Sequence, residues 1–259
     1  MYHPFSISQT IATAWAVLKK NYMTLAVYSI ASLVIYEMVD FFNDFIFVDD
    51  NRFTQLGLIL FQMVIQAYLA LSFYKLILTL IDREFYEFSF RDTLPSFRMT
   101  FNFVLIALLY GVLIAIFLFI DLVIERSVGI SVIVEIPELL IILYLLARSI
   151  FCVCFIVDDN SKPLESLKQS FEITKHNFLK TLSIFAIIIG VMILVLIPVI
   201  VLINIFGLDR PEYGFIFKLA FYCWFLLTFP FVQVLIMVTY RRLVYSSMDV
   251  DDDDVTETV

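Results

Sequence analysis

Six apolar segments, each long enough to cross a lipid bilayer, constrain the fold of this chain more than any other feature. They cover approximately residues 22–42, 53–81, 101–124, 132–157, 179–206 and 215–240. A transmembrane helix needs about 20 mostly apolar residues, because each residue rises about 1.5 Å and the hydrocarbon core is about 30 Å thick. Strands rarely exceed about ten residues. The segments therefore predict an all-α integral membrane protein with six transmembrane helices.

The composition excludes a soluble domain of the ordinary kind. The chain has 62% hydrophobic and 16% charged residues and a mean hydropathy of +0.96. Soluble domains contain about 45–50% apolar and about 25% charged residues. The excess of apolar side chains indicates a surface that contacts the lipid bilayer and, at its edges, lipid head groups. No basic patch large enough for nucleic acid is present, and the sequence identifies no protein partner.

The distribution of Lys and Arg predicts the orientation in the membrane, because cytoplasmic loops carry an excess of these residues. With the N-terminus in the cytoplasm, segments on that side hold eleven Lys and Arg residues, and segments on the other side hold four. Lys75 and Arg148 lie within spans. We therefore expect both termini on the cytoplasmic side.

Three amphipathic stretches precede the first, third and fifth spans. Each contains an aromatic residue, Trp15, Phe97 or Phe171, and is followed by an Asn next to a second aromatic residue, at Asn21-Tyr22, Asn102-Phe103 and Asn177-Phe178. The apolar stripes are Ile7, Ile11, Ala14, Trp15 and Leu18; Phe90, Leu94, Phe97 and Phe101; and Leu164, Leu167, Phe171, Thr174 and Phe178.

These stripes predict three units, each an amphipathic interfacial helix followed by two spans. Such helices lie in the plane of the membrane interface, so Trp15, Phe97 and Phe171 are candidate interfacial anchors. The alternative is that an apolar-rich sequence produces such stripes by chance. We expect a six-span membrane domain over residues 1–248, with units at about 5–81, 89–157 and 161–240. An acidic, disordered cytoplasmic tail follows at 249–259.

Two segments resemble known bacterial membrane proteins. The first runs Pro163-Leu164-Glu165-Ser166-Leu167, then Ser170-Phe171, Thr174-Lys175 and Asn177-Phe178; the second runs Ala14-Trp15, then Lys19-Lys20-Asn21. They are similar to segments that lead into a span in uncharacterised multi-pass families, including the membrane domain of glycerophosphodiester phosphodiesterases. The resemblance implies an α-helical fold in the bacterial inner membrane. It implies no activity, because the chain has no separate soluble segment for a catalytic domain.

Arg148 is the strongest candidate site, because placing an ionisable group at membrane depth costs about 2.5–3.5 kcal/mol of insertion free energy. It lies nine residues before Val157, which is about 13 Å deep in a straight helix. Two interpretations are open: the guanidinium binds a lipid phosphate or another anion, or it pairs within the bundle or extends to the interface. Gln62 and Gln66 share one helix face and either line a polar path or bridge helices.

No recognisable catalytic or metal-binding set is present. The chain has three Cys and two His residues, too few and too scattered to predict a metal site, and we expect no cofactor. The sequence favours a non-catalytic membrane protein that acts in envelope or lipid homeostasis through its amphipathic helices. One alternative is a transporter or channel subunit for a small or lipidic anion, centred on Arg148, and an intramembrane enzyme is a third class that the sequence leaves open.

Overall fold

The computed structural model describes residues 6–46, 52–82, 90–128, 132–175, 177–205 and 214–256, and these ranges contain helices and no strand. The unit boundaries expected at residues 5 and 89, His3, His176 and residues 257–259 lie outside them. The α-helices of this part are α1 (Ile7–Lys20), α2 (Tyr22–Ile46), α3 (Arg52–Asp82), α4 (Phe97–Val128), α5 (Val132–Ser149), α6 (Cys152–Asp158), α7 (Pro163–Lys175), α8 (Phe178–Ile205) and α9 (Gly214–Thr256).

The described part of the chain contains six candidate spans, as the sequence predicted. They run over Tyr22–Val39, Phe53–Asp82, Arg91–Ile124, Ile136–Asp158, Phe178–Ile205 and Phe215–Val244. The fourth differs from the prediction of one continuous helix, because a turn at Ile150 and Phe151 separates α5 from α6. The prediction of an all-α protein with six helices long and apolar enough to cross a membrane is therefore confirmed.

Helices α1 and α7 are separate from the spans that follow them. Each buries a face of three residues four apart, which are Thr10, Ala14 and Leu18 in α1 and Ser166, Ser170 and Thr174 in α7. These faces consist mostly of small residues, which allow helices to approach closely. The larger apolar residues lie off that face: Trp15 and Leu164 expose 59% and 71% of their surface.

The second unit does not begin with an α-helix, so that prediction is wrong. Its leading segment is a 3-10 helix, Phe90–Thr93, followed by three residues before α4 begins at Phe97. The physical reason is Pro95, which has no N–H and disfavours helical backbone at Leu94. Ser96 starts the new helix, because its Oγ accepts a hydrogen bond from the N–H of Met99 at 3.3 Å.

The last helix does not end before the acidic segment, although a boundary was expected at residue 249. Helix α9 continues to Thr256, so the backbone of the expected irregular segment is helical as far as that residue. Extending an existing helix adds one hydrogen bond per residue fixed and needs no new nucleus.

The second spans of the three units, α3, α5–α6 and α9, supply most of the core. Phe73, Phe151, Met237 and Tyr240 are among its fully buried side chains, and the ring of Tyr240 packs edge-on against Phe155 at 5.0 Å between centroids. The core includes residues from all three of these spans. The described part of the bundle therefore has a packed centre.

Each leading segment packs on the second span of the preceding unit. Thr93, before α4, accepts a hydrogen bond from Ser72 of α3. Ser170 of α7 donates to the carbonyl oxygen of Arg148 in α5. Trp15 of α1 contacts Phe231 of α9, with ring centroids 6.1 Å apart. Because the first predicted unit packs on the last, these three contacts close a ring.

Candidate functional site

The fourth span is interrupted by a turn at Ile150 and Phe151, between α5 and α6. Ser170 bridges it: its hydroxyl donates to the carbonyl oxygen of Arg148 at 2.7 Å and accepts from the N–H of Phe151 at 3.3 Å. Backbone groups freed by a break in a membrane helix need partners, because the hydrocarbon core offers no water. One fully buried hydroxyl of α7 therefore replaces two partners that the interrupted helix has lost.

Other side chains satisfy the neighbouring carbonyls at the end of α5. The hydroxyl of Tyr110 donates to the carbonyl oxygen of Leu145, and the hydroxyl of Ser149 donates to that of Leu146, both at 3.4 Å. The last four carbonyls of α5, those of residues 146–149, lack partners within it, so Ser149 satisfies one of them and Tyr110 adds a bond to the carbonyl just before them. The break is thus supported from α4, from α5 itself and from α7.

The guanidinium of Arg148 lies against aromatic rings. Its Cζ atom is 5.0 Å from the ring centroid of Phe171 and 5.9 Å from that of Phe178. Its Nε is buried without a hydrogen-bond partner. No carboxylate among the described residues lies within ion-pair distance of it. The structure therefore brings together two sequence-predicted sites, Arg148 and the anchor Phe171, through cation–π contacts.

The predicted depth of Arg148 rested on a straight helix from that residue to Val157, and this premise is wrong. The turn at Ile150 and Phe151 interrupts the helix between them. Arg148 also contacts α7, the helix that was expected to lie at the membrane interface. Sequence spacing alone could not show this, because the break contains neither Pro nor Gly.

Arg148 occupies a position that recurs in the other two units. Ser72, Arg148 and Phe231 each lie ten residues before a charged residue at the end of a second span, which is Asp82, Asp158 and Arg241 respectively. All three contact the leading segment of another unit. The same structural position thus holds a hydroxyl, a guanidinium and a phenyl ring.

The charged residues at the ends of these spans meet in one cluster that the sequence analysis missed. Arg241 of α9 forms ion pairs with Asp82 of α3 and with Asp158 of α6, the latter at 3.4 Å. The hydroxyl of Tyr240 donates to Asp158 at 2.9 Å. We call these four residues the Arg241 cluster. Their recurrence at the ends of the second spans was the sequence signal that could have revealed them.

Just beyond the cluster, Asp159 follows the end of α6. Burial raises the pKa of its carboxyl above the ordinary value, and the neighbouring carboxylate of Asp158 raises this pKa further. The positive charge of Arg241 acts in the opposite direction. Asp159 is therefore easier to protonate than a carboxyl in water.

The remaining predicted site residues lie apart from Arg148. Gln66 lines a cavity of about 430 Å³ between α2, α3 and α9, and Gln62 is half-buried on the same helix without lining it. Arg148 lines none of the three cavities described. Phe97, at the start of α4, exposes 87% of its surface.

A second polar contact that the sequence did not predict ties α2 to α9. The carboxylate of Glu37 accepts hydrogen bonds from the ammonium of Lys218 and the hydroxyl of Tyr222. These residues are far from the ends of α2 and α9 that carry α1 and the Arg241 cluster. The contact pairs charges that would be costly to leave alone near the membrane.

Cys152 and Cys154 are buried and Cys223 is exposed, all as free thiols. Within the described ranges, no group of three or more His, Cys, Asp or Glu residues could hold a metal ion.

Comparison with known protein families identifies the family of this chain. The family model described as the membrane domain of glycerophosphoryl diester phosphodiesterase matches residues 114–258, which is more than half of the sequence. The chain belongs to this family. The match covers the family's membrane domain, and no catalytic domain was matched. Searches of curated proteins and of solved structures returned no significant match.

Proposed function

We propose that this member of the membrane-domain family is a non-catalytic protein that organises the adjoining lipid leaflet in envelope or lipid homeostasis. The observation that carries the proposal is the way α1 and α7 are built. Their small residues pack on the bundle, while large apolar residues such as Trp15 and Leu164 remain exposed. Exposed apolar residues on helices beside the spans suit insertion into a leaflet.

The same helices and the charge distribution support a proposal for the location. Lys19 and Lys20 end α1, and Lys175 ends α7, so basic residues accompany both helices. Anionic lipids attract such residues at the cytoplasmic surface. We therefore place this face of the bundle at the cytoplasmic leaflet of a bacterial inner membrane, with both termini in the cytoplasm.

Replacing Trp15, Phe97 and Phe171 together with Asp tests the proposal. We expect increased leakage of a small dye across the envelope of cells that depend on this protein, because charged side chains cannot enter the leaflet. The matched control replaces the same three residues with Leu and should restore the barrier. Membrane fractionation must show equal insertion of both variants. A normal envelope in the correctly inserted Asp variant would remove the basis of the proposal.

The break beside Arg148 supports a second candidate, transport of a small or lipidic anion, because interrupted helices form the binding sites of many transporters. In reconstituted vesicles, Arg148→Gln should then abolish anion flux while Arg148→Lys retains part of it. Equal flux in the wild-type protein, in Arg148→Gln and in protein-free vesicles would exclude this candidate. The contacts of Arg148 with two phenyl rings favour the leaflet-organising role.

A further inference from the structure

A groove between α2 and α3 runs along the half of the bundle nearest α1. Its volume is about 590 Å³, and its walls include Met23, Val27 and Ile35 from α2, Tyr68 and Ser72 from α3, and Leu94 from the segment before α4. We call this the α2–α3 groove. Its volume is within the range of about 300–1,000 Å³ that is usual for ligand sites.

The leading segment of the second unit is the reason that the groove stays open. Helices α1 and α7 contain 14 and 13 residues, whereas the corresponding 3-10 helix contains four. The short segment reaches α3 through Thr93 and Leu94, whose carbonyl oxygens accept hydrogen bonds from Ser72 and Lys75. Less of the second span is therefore covered here than in the other two units.

The length of the groove matches a single leaflet. Met23 and Ile35 are twelve residues apart on one helix, a distance of about 18 Å along its axis. One leaflet contributes about 15 Å, half of the hydrocarbon thickness. An acyl chain that enters beside Met23 and lies along the groove would therefore reach about the middle of the bilayer.

Positive charge lies at the same end of the groove. The Nζ of Lys75 donates to the carbonyl oxygen of Leu94 at 2.9 Å, and Leu94 itself lines the groove. An ammonium group carries three N–H donors, so this bond leaves capacity for a phosphate oxygen. Lys19 and Lys20 end α1, and one residue separates them from the start of α2. Apolar walls with cations at one end suit an anionic phospholipid.

We propose that the α2–α3 groove binds one acyl chain of an anionic glycerophospholipid, with the phosphate beside Lys75. The proposal extends the leaflet-organising function. It rests on that function for one point, which is the leaflet from which the lipid comes. It does not involve the aromatic residues of α1 and α7. The groove would hold one lipid in a fixed position, whereas these helices contact the leaflet generally.

The test uses the full chain in nanodiscs that contain phosphatidylglycerol with a photoreactive group in its acyl chain. After irradiation, mass spectrometry of the peptides locates the label. We expect label on peptides that contain residues 23–35 and 68–76. Ala31→Trp fills the groove and should reduce this label several-fold. Leu194→Trp is the matched control, because it adds the same side chain at an exposed position of α8.

Lys75→Gln tests the head group separately. The ratio of label from phosphatidylglycerol to label from an equivalent phosphatidylcholine probe should fall about fivefold, the effect of one basic residue at an anionic surface. Lys162→Gln should leave the ratio unchanged, because Lys162 is an exposed residue before α7.

Label spread equally over the groove and α8 in the wild-type chain overturns the proposal, whether or not the Trp variant folds. An unchanged lipid ratio in Lys75→Gln overturns the assignment of the phosphate. Either failure would leave the dye-leakage result for the anchor residues unaffected, so the two proposals can fail independently.

Discussion

The contact of α1 with α9 and the contact of α7 with α5 and α6 occupy corresponding places in the bundle but are built differently. In the first, Trp15 meets Phe231 on a continuous helix, and the residue before the Trp is Ala14. In the second, Phe171 meets Arg148 beside a break, and the residue before the Phe is Ser170. A continuous span needs only a small side chain at this place. A broken span needs a hydroxyl to satisfy its free backbone groups.

The Arg241 cluster joins the ends of α3, α6 and α9, and α6 and α9 are the helices that take part in these two contacts. Arg241→Met should therefore have the largest effect on stability, because removing one partner of a buried ion pair lowers the free energy of unfolding by about 3–5 kcal/mol. Loss of the Arg leaves Asp82 and Asp158 close together without their cation. Because Asp82 retains 41% side-chain exposure, we expect the lower part of that range. Thermal unfolding in detergent measures the change.

The neighbouring Arg242 supplies the control for this prediction. Its guanidinium donates to the hydroxyl of Thr13 in α1 at 2.7 Å, so Arg242→Met removes a charge from the same region without leaving this acidic pair uncompensated. It should destabilise the protein by less than half as much as Arg241→Met. Equal effects of the two substitutions would mean that the cluster does not hold the three spans together.

Ser170→Ala tests directly whether the two contacts differ in their need for a hydroxyl. It leaves the carbonyl of Arg148 and the N–H of Phe151 without the bonds that now satisfy them, which should cost about 1–3 kcal/mol. The corresponding change in α1, Ala14→Ser, should cost less, because a helical Ser can donate to the carbonyl four residues earlier. The same detergent unfolding assay compares the variants.

Ser183→Ala controls for the loss of a hydroxyl that bonds only within its own helix, since Ser183 donates to Leu179 in α8. We expect a change within about 0.5 kcal/mol, as for most surface substitutions. If Ser170→Ala were no more destabilising than Ser183→Ala, the break would not depend on α7. The contrast between the two contacts would then have another cause.

The fold could be predicted from the sequence wherever one local pattern decides the outcome. Six long apolar runs gave six spans, because length and hydropathy suffice for a membrane helix. Amphipathic spacing likewise identified α1 and α7. The prediction of a helix at the start of the second unit was wrong, because Pro95 disfavours helical backbone there despite the apolar stripe. Pro95 was visible in the sequence.

The candidate site depended on contacts between distant segments and could be predicted only in part. Arg148 and Phe171 were each identified, but nothing local indicates that one lies over the other. The break at Ile150 and Phe151 depends on a hydroxyl about twenty residues later in the chain. The Arg241 cluster joins residues from three units, so its charges appeared to be ordinary loop residues.

The smallest expected effect concerns Asp159, which corresponds in position to Arg242 on the α9 side. Its pKa is raised in the folded protein, mainly by burial and then by Asp158. The folded state therefore binds this proton more tightly than the unfolded state does. Its contribution to stability is greatest when it is protonated and falls as the pH rises from the ordinary value of 3.8 through the raised pKa.

Asp159→Asn should remove this part of the pH dependence. At neutral pH the variant should be slightly more stable than the wild-type protein, because it lacks a charge that burial and then Asp158 disfavour. The difference should shrink as the pH falls through the raised pKa, because the wild-type carboxyl is then neutral as well. Unfolding measured across this pH range checks both points. A variant that is less stable at neutral pH would show that the Asp159 carboxylate supports the end of α6, and the acid would then be the functional counterpart of Arg242 at its contact with α1.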